Sequence, residues 1–317
     1  MRAEFDLIAK YFTRPTPKAD LGVGDDAALI KLLPGYQLAI STDMSVVGTH
    51  FYADCPPEYI GWKSLAVNVS DMAAMGATPK WMTLALALPE QNPKWLSAFA
   101  SGFFACADAF NIDLIGGDTT RGPLNITVQI MGEVPTGQAL LRSNAQVGDE
   151  IWVSGLLGGA RLGLAHLQQN ISLPSETSVI CLQALHHPQP RVSLGQALLG
   201  VAHSCIDISD GLVGDLGHIL KASGVGAEVH LETMPCLPFL KEALHLPDIQ
   251  QALLAGGDDY ELCFTAPIAQ NAEIQAISNR LGLPITCIGK INANVGLSVM
   301  HHGRALPIPW EGFDHFA

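Results

Sequence analysis

Six stretches of the 317-residue chain bring an apolar run up against Asp flanked by Gly, Ser or Thr: GVGDDA (22–27), STDM (41–44), NVSDMAAMGA (68–77), GGDTTRG (116–122), DISDGL (207–212) and GGDDYEL (256–262). Nine of the 18 Asp fall in them, so half of the residues best suited to hard cations occupy a small part of the chain. Singly, Gly-Asp and Asp-Gly are turn formers and Ser-Asp is a helix N-cap. Together they sit mostly where strands are expected to end, and ligand sites of α/β sheets gather at strand ends. Carboxylates suit Mg2+, which is usually held through one or two of them plus waters and substrate phosphates. Neighbouring glycines permit close backbone approach and offer N–H groups to phosphate oxygens. The pattern describes an Asp-rich, Lys-poor, glycine-lined site for a polyphosphate whose charge is neutralised by several Mg2+ ions.

One helix sharpens this reading. Residues 58–75 follow Pro56-Pro57 and carry Trp62, Leu65, Ala66, Val69, Met72 and Ala73 at helical spacing. Ser64, Asn68 and Asp71 form a polar stripe at i, i+4 and i+7. The opposite face is also apolar, so the helix is expected to be buried nearly all round, where a carboxylate needs a partner. With 17 Lys and Arg against 30 acids, that partner is expected to be metal. A second helix, beginning near Gly211, is expected to turn its positive dipole end toward a phosphate. GVGDDA fits a loose dinucleotide fingerprint, but KADL rather than a strand precedes it, and two Asp would repel a pyrophosphate. The chain has no G-x-x-x-x-G-K-[ST] loop, no protein-kinase motif set, no G-x-S-x-G and no H-E-x-x-H. The pairs His186-His187 and His301-His302 read as loop or hairpin residues, because adjacent side chains rarely converge on one metal.

These residues are positioned by alternating elements. In the first half, strands are expected at 38–43, 81–88, 112–118 and 125–134, with helices at 58–75 and 93–110. A Gly- and Gln-rich segment, 135–149, reads as the domain boundary. Beyond it, helices are expected near 157–168, 190–200, 211–222 and 269–281. Strands are expected near 151–155, 203–208, 227–231, 260–266 and 285–289, before a hairpin at His302-Gly303. Both halves are therefore α/β or α+β layers. Hydrophobic residues make up 48% of the chain, enough for a sizeable core, which excludes a disordered protein. A net charge of −13 without any run of three basic residues argues against nucleic acid and anionic membranes as partners. Seven Cys without C-x-x-C spacing point to reduced thiols in the cytoplasm, and MRAEFDLIAKYF does not read as a signal peptide.

LAISTDM, GTHF, VNVSDMAAMGATP, LIGGDTTRGP and DISDGL, in this order and spacing, resemble the thiamine-monophosphate kinase family of the aminoimidazole ribonucleotide synthetase-like superfamily. The likeness runs from EFDLIAKYF to GFDHFA. It implies a two-domain fold: 1–138, binding Mg2+ and ATP and pairing its sheet across a homodimer, and 147–317, an α/β domain completing the nucleotide and substrate site. It implies transfer of the γ-phosphate of ATP to thiamine monophosphate. Carried over by motif, metal ligands fall on Asp26, Ser41, Thr42, Asp43, Asp71, Asp118, Asp207 and Asp210, with Asp43, Asp71 and Asp118 the most critical. Nucleotide contacts fall on Gly117, Asp118, Arg142 and Ser209, and substrate contacts on His50, Asp258 and Phe313. Relatives usually carry Glu where this chain has Asp258 and often Tyr where it has Phe313.

The implied reaction needs no general base, because a phosphate acceptor with a second pKa of about 6 is already mostly dianionic at neutral pH. Two other readings of the same motifs stand beside it. One is an enzyme of the same superfamily activating an amide, selenide or carbamoyl group with ATP. The other is a non-catalytic nucleotide- or Mg2+-binding module.

Overall fold

The computed structural model describes residues 3–310, and it divides into two compact units. The first comprises the chain up to Met72 with Ala77–Gly137; the second comprises Ala73–Gly76 and the chain from Gln138 onward.

The first unit contains α1 (Ala3–Tyr11), β1 (Tyr36–Val46), α2 (Pro57–Ala74), β2 (Thr78–Leu88), α3 (Pro93–Phe110), β3 (Asp113–Arg121) and β4 (Asn125–Pro135). Its four-stranded sheet runs β1-β4-β2-β3, so β1 and β3 are opposite edges. β2 and β3 are parallel, joined through α3, and the other pairings are antiparallel. Local chemistry sets the limits of α3. Pro93 occupies the first turn, Asn92 Oδ1 accepts from the N–H groups of Lys94 and Trp95 at 3.1 and 3.2 Å, and Asn111 closes the helix at φ 56°. α2 is buried almost all round, as its sequence requires: Leu65, Ala66, Val69 and Asn68 have no exposed surface. Two glycines let it lie against α3. A Cβ at Gly61 would stand 2.1 Å from Phe99 O, and one at Gly102 would stand 1.8 Å from Glu58 O.

The second unit contains β5 (Glu150–Ser154), α4 (Gly159–Leu167), α5 (Ser175–His186), α6 (Val192–Ala197), β6 (Ser204–Asp207), α7 (Leu212–Ser223) and β7 (Gly226–His230). It continues with α8 (Pro238–Lys241), α9 (Pro247–Ala255), β8 (Leu262–Ala266), α10 (Asn271–Leu281), β9 (Ile285–Asn292), β10 (Gly296–His301) and β11 (Arg304–Leu306). Seven strands run β11-β10-β7-β9-β5-β8-β6, with only β7 and β10 parallel. Both faces are covered. Ile151, Val153, Ile206 and Cys263 join one apolar cluster, and their alternating neighbours Trp152, Cys205, Leu262 and Phe264 join another. At the end of β5, Arg191 grips buried Glu261 with two N–H groups, and Ser154 Oγ donates to the same carboxylate at 2.6 Å. This unit differs from the sequence expectation in three additional helices, α5, the one-turn α8 and α9, and in an α6 several residues shorter.

Candidate active site

In the first unit, Ser41 and Asp43 lie two residues apart on β1 and share the face that meets α2. Ser41 Oγ donates to Asp71 Oδ2, and the Asp43 N–H donates to Asn68 Oδ1 at 3.2 Å. Asn68 is itself fixed, donating through Nδ2 to Ser64 O at 3.0 Å, while Ser64 Oγ donates to Gly61 O at 3.1 Å. The polar stripe is thus a buried brace rather than a solvated face, and it holds the α2 carboxylate against β1. Two carboxylates and a hydroxyl form an oxygen-only donor set, which fits Mg2+ and not a thiophilic ion.

The neighbouring positions separate in space. Thr42 projects to the other face of β1, where its hydroxyl accepts from Gln129 Nε2 at 3.4 Å. Asp118 is exposed on β3, separated from β1 by the two intervening strands β4 and β2. The first unit therefore unites Ser41, Asp43 and Asp71 but not Asp118. Gly117 has a packing reason to be glycine: at φ 148° a Cβ would stand 1.9 Å from Leu84 O. Asp26 is exposed in a loop closed by mutual backbone bonds of Leu21 and Leu29, whose Ala28 and Ile30 pack against Trp81, Ile115 and Met131 of the sheet. His50 follows β1, and its Nδ1 accepts from the Val46 N–H at 3.1 Å, which leaves the ring proton on Nε2.

The second unit gathers a separate acidic group. Asp207 ends β6, Ser209 and Asp210 form the turn, and Gly211 caps α7. Asp215, which the sequence reading passed over, is the organising residue. Its Oδ2 accepts from the N–H groups of Ser209, Asp210 and Gly211 at 3.0, 3.0 and 3.1 Å. The N–H groups of the turn before α7 are thus taken by the helix's own first-turn carboxylate, whereas those of residues 212–214 are not among its donors. An acid in the first turn after Asp-Gly was the available signal. Burial, reinforced by Asp207 and Asp210, pushes the Asp215 carboxyl up to about 7.

Loop 256–260 is zipped onto this turn. The Asp258 N–H donates to Ser209 O, and the Tyr260 N–H donates to Ile208 O, each at 2.8 Å. Asp258 (φ 61°) and Tyr260 (φ 50°) are both left-handed, and Tyr260 Oη donates to Asp258 Oδ1 at 3.0 Å. Asp259 accepts from the Gly158 N–H at 3.0 Å, and burial holds its carboxyl well above the usual range against that bond. The second unit thus unites Asp207, Ser209, Asp210 and Asp258. Arg142 is exposed, its carbonyl accepting from Ser223 Oγ at 3.2 Å. Phe313 lies outside the described residues.

Residues 24–134 match the N-terminal domain, and residues 146–302 the C-terminal domain, of the AIR synthase related proteins. A thiamine-monophosphate kinase of Salmonella typhimurium is 46% identical over 322 residues, covering 99% of this chain and 98% of its own. The chain belongs to the thiamine-monophosphate kinase family. A crystal structure of the family from Stenotrophomonas maltophilia superposes with a TM-score of 0.84 at 45% identity, covering 95% of this chain and 96% of that one. AaThiL complexed with AMPPCP and TMP superposes at 0.77 and 30% identity, over 98% of this chain and 96% of its own. The Asp motifs of this family member are therefore found on a nearly full-length match to a nucleotide- and TMP-bearing relative.

Proposed function

We propose that the chain transfers the γ-phosphate of ATP to thiamine monophosphate, giving ADP and thiamine diphosphate. The observation that carries this reading is the oxygen-only cluster of Ser41, Asp43 and Asp71, braced by buried Asn68, in a chain of this family. Mg2+ bound there would offset the repulsion of two phosphates, about 4 kcal/mol per like-charge pair at 4 Å and an effective dielectric of 20.

The chain's own task is placement. Ser41, Asp43 and Asp71, with Asp26 and Asp118, are the oxygen ligands of the first unit, the Thr42 hydroxyl being turned to the other face of β1, and Asp207 and Asp210 are those of the second. Gly117, Asp118, Arg142 and Ser209 bind the nucleotide; His50, Asp258 and Phe313 bind the substrate. Asp258 is directed by Tyr260 and by its backbone bond to Ser209, and His50 by the Val46 N–H. No side chain need remove a proton, since the acceptor phosphate, with a second pKa of about 6, is already an anion at neutral pH. The seven free thiols support a cytoplasmic setting. Incubation with ATP, Mg2+ and thiamine monophosphate should yield ADP and thiamine diphosphate on chromatography. AMP as product, or preference for unphosphorylated thiamine, would refute the proposal.

A homodimer belongs to the same proposal. β1 is an open edge whose outer face exposes Tyr36, Ile40 and Met44 at 39, 55 and 54%, a surface that invites a second strand. Asp118 lies on the opposite edge, so a second copy placing its β3 beside β1 would complete the cluster. Asp43→Asn and Asp118→Asn should each be inactive alone. An exchanged equimolar mixture should recover roughly a quarter of wild-type activity, through mixed dimers with one intact site. No recovery, or a solution mass near one 33.7 kDa chain, would count against a shared site.

A further inference from the structure

The hairpin from β10 to β11 turns at His302 and Gly303, both left-handed at φ 49° and 72°. It meets the short 3-10 turn Leu231–Thr233 that follows β7, because β7 and β10 are parallel neighbours with Met300 level with His230. Glu232, in that turn, reaches the hairpin tip. Its Oε1 accepts from the His302 N–H and lies 3.2 Å from His302 Nδ1.

Adjacent histidines on an extended strand would project to opposite faces. Here the left-handed backbone at His302 folds its ring onto that of His301, with centroids 4.4 Å apart and planes 27° from parallel. The expectation that this pair diverges is thereby corrected. One ligand atom from each of Glu232, His301 and His302 lies within 4.8 Å of the others. Slight desolvation of Glu232, which raises its pKa, is outweighed by N–H donation from His302 and from its own backbone and by both imidazoles, so the carboxylate is held below its usual range. Lys241 Nζ donates to the carbonyl oxygens of Glu232 and Met234, at 2.9 and 2.6 Å, and fixes the turn from behind.

We propose that Glu232, His301 and His302 form a binding site for one divalent transition-metal ion of the zinc class. Two imidazoles and a carboxylate favour Zn2+, Co2+ or Ni2+ over Mg2+, which separates this site from the Asp cluster by ligand chemistry alone. Zinc bonds of about 2.0–2.2 Å place tetrahedral ligand atoms roughly 3.3–3.5 Å apart. Turning the two imidazoles out of their stack, free to occur because His302 is largely and His301 and Glu232 partly exposed, would close the present spacing to that value. With three protein ligands, the fourth position is left to water. The bound ion would clip the β10–β11 hairpin to the turn after β7.

Cobalt is a suitable probe, since four-coordinate Co2+ absorbs visible light strongly and six-coordinate Co2+ weakly. Full-length protein without a histidine tag, saturated with Mg2+, should bind one equivalent of Co2+ with the strong spectrum, and Zn2+ should displace it. Glu232→Gln and His301→Asn/His302→Asn should each weaken binding at least tenfold. Both variants should keep the wild-type melting temperature in chelator and the wild-type rate of thiamine diphosphate formation. A weak six-coordinate spectrum in the wild type, or equal Co2+ affinity in wild type and both variants, would overturn the site.

Discussion

Asp71 of the first unit is approached by a hydroxyl, and the Asp43 backbone by an amide, whereas Asp215 and Asp259 of the second unit are wrapped in backbone N–H groups. The two acidic groups share a residue type and differ in what satisfies them. A hydroxyl partner orients the Asp71 carboxylate without cancelling its charge, which suits it to the cation proposed above. Three aligned N–H groups from one turn do part of that work for Asp215, and burial moves its proton affinity toward neutrality to do the rest. Acids of one type can therefore be held differently: Asp71 as the proposed cation site requires, Asp215 to close a helix start.

Removing single charges from each group tests this contrast. The largest effect is expected from Asp43→Asn and Asp71→Asn, each cutting thiamine diphosphate formation by about a thousandfold or more, with unchanged circular dichroism. Near-normal turnover at saturating Mg2+ in both would make these two carboxylates structural, like that of Asp215.

The next effect is on stability. Asp215 has its folded pKa raised from 3.8 to about 7, so the native state holds a proton that the unfolded chain releases. Stability is greatest below about pH 4 and is lost as pH rises through 7, on the order of 4 kcal/mol in full. Denaturant melts of metal-free Asp215→Asn should lack this decline. Wild type and variant should agree below about pH 4, separate progressively up to about pH 7 and differ by a constant amount above it, the variant being the more stable. Parallel curves across that range would show that the charge is solvated or paired.

The smallest effect lies where the second group meets substrate. Asp258→Asn should raise the KM for thiamine monophosphate about ten- to a hundredfold, the worth of a charge-assisted contact of roughly 1.5–3 kcal/mol. The KM for ATP should change less than about twofold. Asn tolerates the left-handed backbone as Asp does, so equal KM values for both substrates would reduce Asp258 to a turn former.

Much of this was legible in the sequence because it is local. The limits of α3 follow from Asn92-Pro93 and Asn111, and the Ser64–Asn68–Asp71 stripe was visible as i, i+4 and i+7. The brace that this stripe builds with β1 was not, since its residues are contributed by elements 25 and 30 positions apart. Strand alternation also divides what the sequence joins: Thr42 and Asp43 are neighbours in STDM yet face opposite sides of the sheet. α5 escaped notice because SETSVICLQALH mixes hydroxyl and β-branched residues with little apolar periodicity, and only Cys181 and Leu185 are buried. Pairing of loop 256–260 with the turn after β6 joins residues about fifty positions apart, beyond the reach of any local pattern.

The two left-handed residues in loop 256–260 have a consequence for how this protein can change. Holding Asp258 and Tyr260 at positive φ costs on the order of 1 kcal/mol or more each, strain that glycine would not feel. Asp258→Gly would therefore gain heat tolerance from the backbone while giving up the carboxylate beside Ser209. Laboratory evolution for thermal survival alone would drift toward that substitution, and the loss would surface only when thiamine monophosphate is scarce. Alternating rounds of heat and substrate limitation would hold the aspartate in place.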